Sequence, residues 1–124
     1  PGLFLSYRGE SPLTLMGEQD EPFLRFSQDG VEANRHSSTW ARVAPAGTPS
    51  FVDSGDNTEA KWAQVSGGPS YGWIEPRAAY AGKVENPAKS GIVKRWQIPI
   101  LIGDSSSHIQ GVSEWFPIEP VAGE

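Results

Sequence analysis

Ile92-Val-Lys-Arg-Trp-Gln-Ile-Pro-Ile-Leu-Ile102 is the stretch that decides the fold. Its even positions read Ile92, Lys94, Trp96, Ile98, Ile100 and Ile102, and its odd positions Val93, Arg95, Gln97, Pro99 and Leu101. Successive side chains of a strand point to opposite faces, so this alternation predicts a strand with its even face in a core. Pro99 has no amide proton for a ladder and marks a bulge or an unpaired edge position. Gly103-Asp-Ser-Ser-Ser107 then turns the chain, and 108–116 returns as a second strand. The pair reads as a β-hairpin with a loop of about five residues.

Outward from that hairpin, 14 Gly and 11 Pro punctuate the 124 residues, and the longest interval free of both is Val31 to Ala44. An interior Pro costs a helix roughly 3 kcal/mol and Gly about 1, so short strands and turns are the natural way to bury five Trp and five Phe. Leu3, Leu5 and Tyr7 share one face of a strand over 3–8, and 13–15 continues or pairs with it. Strands at 23–27 and 31–34 flank Gln28-Asp29-Gly30, where Asp-Gly suits a tight hairpin. Further strands are expected at 39–44, 50–53, 62–66 and 70–75, with Gly67-Gly68-Pro69 as a turn. Only 77–84, between Pro76 and Pro87 and carrying Ala78, Ala79 and Ala81, has a helical composition.

Eight or nine strands predict an all-β fold: a single antiparallel β-sandwich, immunoglobulin-like, with a partly open barrel as the alternative. One domain spans 1–118, and 119–124 begins a linker. A chain this long buries roughly two thirds of its unfolded surface and folds without a staple. The lack of Cys removes disulfides, Cys-based zinc sites and thiol nucleophiles. A net charge of −5 argues against a nucleic-acid partner, which demands a basic stripe. No apolar run reaches the roughly 20 residues of a membrane span. Pro1 in place of Met reads as processing, with flanking segments removed.

No strong catalytic signature is present. His36 and His108 are only two potential metal ligands where three or four are needed, and both read as loop residues beside serines. A hydrolase using either histidine would require it bonded to a serine and a carboxylate. No Gly-x-Ser-x-Gly elbow occurs. Asp53, Asp56 and Glu59 lack calcium-loop spacing, and Asp20-Glu21 reads as exposed loop charge. No cofactor and no metal site are expected. Trp40, Trp62, Trp96 and Trp115 read as core. Trp73 keeps different company, since Tyr71-Gly-Trp-Ile-Glu-Pro-Arg-Ala-Ala-Tyr80 packs aromatic, acidic and basic groups around a proline. Trp73, Glu75, Arg77 and Tyr80 are therefore the candidate binding residues: aromatics as a platform, Arg77 for a carboxylate or phosphate, and Glu75 to hold Arg77. The alternative is a purely structural clasp.

Two resemblances bear on these residues. Trp62 to Tyr80 resembles the second half of an SH3-type module, which implies a groove for peptide or cell-wall glycopeptide with Trp73 and Tyr80 exposed side by side. Over most of the chain, the blocks Glu21 to Trp40, Lys61 to Ser66 with Tyr71-Gly-Trp73, Trp96 to Leu101 and Ile109 to Pro117 resemble an uncharacterised family of actinobacterial exported, membrane-anchored proteins. That resemblance implies an extracytoplasmic domain of a cell-envelope protein, with a signal peptide before it and a membrane helix after it. Its partner would be a protein or an envelope component, reaching the membrane only through segments outside this chain. The family carries a Trp-His-Asp-His-Arg-x-His-Trp pattern that would invite a metal. Here Trp73 and Arg77 keep their places and Glu75 replaces the acid. Ile74, Pro76 and Ala79 stand at the three histidines, and Tyr80 at the last Trp, so a metal role does not carry over.

Overall fold

The computed structural model describes residues 2–45, 59–80, 82–83 and 86–117. Among these, eight strands follow one another as β1 (Gly2–Ser6), β2 (Leu13–Met16), β3 (Pro22–Ser27), β4 (Gly30–Asn34), β5 (Trp62–Ser66), β6 (Ser70–Ile74), β7 (Gly91–Ile102) and β8 (Ser105–Trp115). A short helix, α1 (Ser38–Val43), precedes β5, and a 3₁₀ turn occupies Pro76–Ala78. Every strand pairing is antiparallel. β5-β4-β3-β2-β7-β8 form one sheet and β1-β6 a second, smaller one. The sheet does not close into a barrel, and the architecture is the expected all-β sandwich.

The two layers meet through alternating positions. Leu13 and Leu15 of β2, Leu24 and Phe26 of β3, Val31 and Ala33 of β4, and Ile98 and Ile100 of β7 turn inward and are buried. Against them the small sheet lays Leu3, Leu5, Tyr71 and Trp73. Phe23 joins this face although it precedes Leu24. The β2–β3 register shifts there, Leu15 facing Leu24 and Met16 facing Pro22, so Phe23 is the extra residue of a bulge. A bulge re-aims side chains, and here two consecutive residues are both fully buried. Trp73 stands edge-on to Phe23 with ring centroids 6.5 Å apart and tilts against Phe26 at 6.3 Å.

The β7–β8 hairpin holds as read, with its limits adjusted. Inward pointing is confined to the middle of β7: Ile98 and Ile100 are buried, whereas Ile92 and Ile102 at its ends are exposed, because the hairpin runs beyond the small sheet that covers its centre. Pro99 pairs with His108 toward β8 and has no partner toward β2, whose register ends at Ile100; the bulge lies instead between Ile92 and Lys94. The loop is Gly103-Asp104, not five residues, since Ser105, Ser106 and Ser107 pair with Ile102, Leu101 and Ile100. Gly103 supplies the left-handed backbone, at φ 58°, which lets the turn tighten.

Two further expectations are corrected. Residues 39–44 contribute to a helix, not a strand. Ser37 caps α1 by accepting a hydrogen bond from the Trp40 amide at 3.0 Å, and the Glu21 carboxylate accepts from the Thr39 amide at 3.0 Å and the Ser37 hydroxyl at 2.5 Å. With the first-turn donors satisfied, one turn of helix is favoured where propensity alone is neutral. Of the helical reading of 77–84, the described residues show the three-residue turn Pro76–Ala78, while 81 and 84 lie outside the described residues. Ser113 Oγ donates to the Ala78 carbonyl at 2.5 Å and Lys94 Nζ to the Ala79 carbonyl at 3.1 Å, so these acceptors are taken by the hairpin rather than by a further helical turn. The strand expected at 50–53 and the linker at 119–124 lie outside the described residues.

Candidate functional site

Glu75 is the centre of the predicted cluster, and it is completely buried. It follows the last residue of β6 and caps the 3₁₀ turn, accepting from the Arg77 amide at 3.0 Å. Its two oxygens take Arg77 Nε at 2.9 Å and Nη2 at 2.8 Å, a bidentate pair, and Trp73 Nε1 donates to it at 3.1 Å. Burial opposes ionisation of this carboxyl. The Arg77 guanidinium and amide and the Trp73 indole outweigh it, holding the pKa below the usual carboxylate value. Trp73 is 7% exposed and belongs to the core.

These three residues therefore form a clasp. It fixes the end of the small sheet to the turn, which is pinned in turn on Ser113 and Lys94 of the hairpin. Arg77 commits Nε and Nη2 to Glu75, which leaves little of its fork for a ligand. The SH3-like groove required Trp73 and Tyr80 exposed side by side, and Trp73 is buried.

Tyr80 has parted from the cluster. It is 42% exposed, donates to the Lys83 carbonyl at 3.0 Å, and lines an open recess of about 390 Å³ at the free end of the hairpin. Trp115, Lys83, Lys89, Asn86 and Ser90 complete its polar and aromatic lining. Trp115 is anchored there by its indole, which donates to the Pro87 carbonyl at 2.8 Å. Sequence reading assigned Trp115 to the core; as the last residue of β8 it lines the same recess as Tyr80 instead. That shared recess carried no signal in the sequence, since it depends on where the segment before β7 packs against the end of β8.

The histidines make separate local contacts. His36 Nδ1 donates to the Glu59 carbonyl at 2.7 Å, and Gln110 Nε2 donates to His108 Nε2 at 3.1 Å. Neither shows the serine and carboxylate partners a hydrolytic role requires. Among the described residues, no three of His, Asp and Glu come together as a metal-binding group.

A second recess was not foreseen. It is a groove of about 520 Å³ between α1 and the small sheet, walled by Leu3, Phe4, Trp40, Val43, Tyr71 and Ile74 among others. Burial pushes the Tyr71 hydroxyl pKa up, so this phenol stays neutral. The missed signal was Ser37, an N-cap that would have turned Trp40 onto a helix and toward the small sheet.

Fold and recesses define a class: an all-β sandwich domain with one recess lined by aromatic rings, lysines and neutral polar groups and a groove lined by aromatic and aliphatic side chains. No family model, no curated protein and no solved structure matches the chain.

Proposed function

We infer that this is a non-catalytic binding domain of an exported cell-envelope protein, and that its ligand is an anionic envelope component received between Tyr80 and Trp115. The observation that carries the reading is the composition of that recess. Its described lining residues offer two aromatic rings, an amide, a hydroxyl and two lysines and no carboxylate, on a chain of net charge −5. Ring faces stack on sugar rings or apolar peptide groups, and lysines offset carboxylate or phosphate charge. Export and anchoring rest on the resemblance of the four sequence blocks. Arg77 and Glu75 hold the end of the recess in place through the turn and are not ligand contacts.

Isothermal titration with a soluble, carboxylate-bearing cell-wall glycopeptide tests this. The expected result is saturable binding that weakens with added salt, as screening of exposed charge requires. A Lys83→Ala/Lys89→Ala double variant should lose it while keeping the wild-type melting temperature. Absence of saturable binding, or binding indifferent to both lysines, overturns the reading.

A further inference from the structure

β8 is 11 residues long and lies at one edge of the six-stranded sheet. Among the described residues it pairs with β7 alone, so every second residue presents its amide and carbonyl outward. Folded proteins guard such edges by keeping them very short, or with lysine, proline, bulges or inward-pointing charge. The other described edges follow the first of these rules, since β1, β5 and β6 are 5 residues each. β8 follows none of them. Ser105-Ser-Ser-His-Ile-Gln-Gly-Val-Ser-Glu-Trp115 contains no Lys, Arg or Pro. The bulge in the hairpin belongs to β7, where Val93 is the extra residue. His108, Gln110, Val112 and Glu114 are all exposed, and Glu114 has no ion-pair partner among the described residues.

We propose that β8 is a dimerisation edge, on which a second copy of this chain lays its own β8 antiparallel about a two-fold axis at Gly111. The register follows from the side chains. Residues opposite one another in an antiparallel pair share a face, and a two-fold axis repeats each contact on its other side. Centred on Gly111, Gln110 meets the partner's Val112, Ile109 meets the partner's Ser113, and His108 meets the partner's Glu114. This symmetric register sets the one carboxylate of the strand against its one imidazole, and does so twice. A register centred on Glu114 would set two carboxylates together, and like charges directly opposite destabilise a sheet. His108 accepts from Gln110 at Nε2, which leaves its proton on Nδ1 to donate to that carboxylate. At the axis no side chain meets its copy, because the Trp96 ring occupies the space that a Cβ on Gly111 would need. The Tyr80–Trp115 recess takes only Trp115 from β8, so the dimer does not rest on the ligand reading.

Sedimentation equilibrium of the intact chain, from about 10 µM to about 1 mM, tests this. The expected result is a reversible, concentration-dependent rise from 13.4 kDa to twice that mass. His108→Glu sets two carboxylates against each other on both sides of the axis and should weaken the dimer about tenfold. His108→Glu/Glu114→Lys restores opposite charges in this register and should recover the wild-type affinity. Both positions are exposed, so both variants should keep the wild-type melting temperature in dilute solution. A chain that stays monomeric throughout overturns the proposal. A dimer indifferent to His108→Glu overturns it too, since the contact then lies elsewhere. So does a dimer weakened by the single substitution and not recovered by the double one, because the two residues then do not face each other.

Discussion

Arg77 shows how one side chain can look like a ligand contact in sequence and serve as a fastener in the fold. Its fork fills both oxygens of a carboxylate that is wholly out of solvent. Removing it leaves Glu75 charged and short of partners, and breaking a buried pair by losing one member costs about 3–5 kcal/mol. Arg77→Ala is expected to lower stability by that order, read from the urea midpoint, while Arg77→Lys recovers only part because a single ammonium cannot reproduce the paired contacts. Binding of the envelope ligand by whatever fraction of Arg77→Ala remains folded should be unchanged. Gly30 is a second residue-scale constraint. Its φ is 130°, a value L side chains rarely adopt, and an added methyl would also meet the Ser66 carbonyl oxygen of β5. Gly30→Ala should cost about 1–3 kcal/mol, seen as a fall of several degrees in melting temperature. Asp-Gly announced the hairpin turn in the sequence, but the close approach of β5 that forbids a side chain there did not show.

At the scale of elements, strands were the legible part and α1 was not. Period-two alternation gave β7, the turn after it gave β8 as its return, and the leucines at 3, 5, 13 and 15 gave β1 and β2, though β2 pairs with β3 and β7 and not with β1 as expected. Helix α1 is six residues long, too short to hold itself. It exists because Glu21, sixteen or more positions away, accepts from its cap and first-turn donors, and because Glu18 pairs with Arg42 near its end. Asp20-Glu21 looked like solvated loop charge since nothing local tells a carboxylate which distant amides it will meet. Glu21→Ala should melt α1 and cost about 1–2 kcal/mol, and Ser37→Ala about 1. Amide hydrogen exchange at Thr39, Trp40 and Ala41 should accelerate in both variants while exchange in β7 is unaffected.

For the whole molecule, two carboxylates tie stability to pH. Burial opposes ionisation of Glu21, and its hydrogen bonds from Ser37, Thr39 and Gln19 outweigh it, so its pKa in the fold is lowered, as is that of Glu75. A lowered native pKa means the unfolded chain binds protons first as the solution is acidified. The stabilisation is thus complete above the usual carboxylate range and is lost as pH falls through the native values. Urea midpoints measured from about pH 7 to about pH 3 should hold level and then drop. Glu75→Gln should start lower at neutral pH and drop less.

The sequence by itself determined an all-β fold, because breaker density and strand alternation are local properties that survive translation into any register, whereas the choice of sandwich over partly open barrel came from the strand order. It also marked Trp73, Glu75, Arg77 and Tyr80 as one cluster, of which the structure joins the first three through hydrogen bonds. Only the tertiary structure decided that this unit faces inward, because burial of Trp73 depends on the small sheet lying over Phe23 and Phe26. The recess shared by Tyr80 and Trp115, and the groove between α1 and the small sheet, were likewise tertiary. Both arise where segments distant in sequence meet, and no local pattern encodes which distant partner a side chain will find.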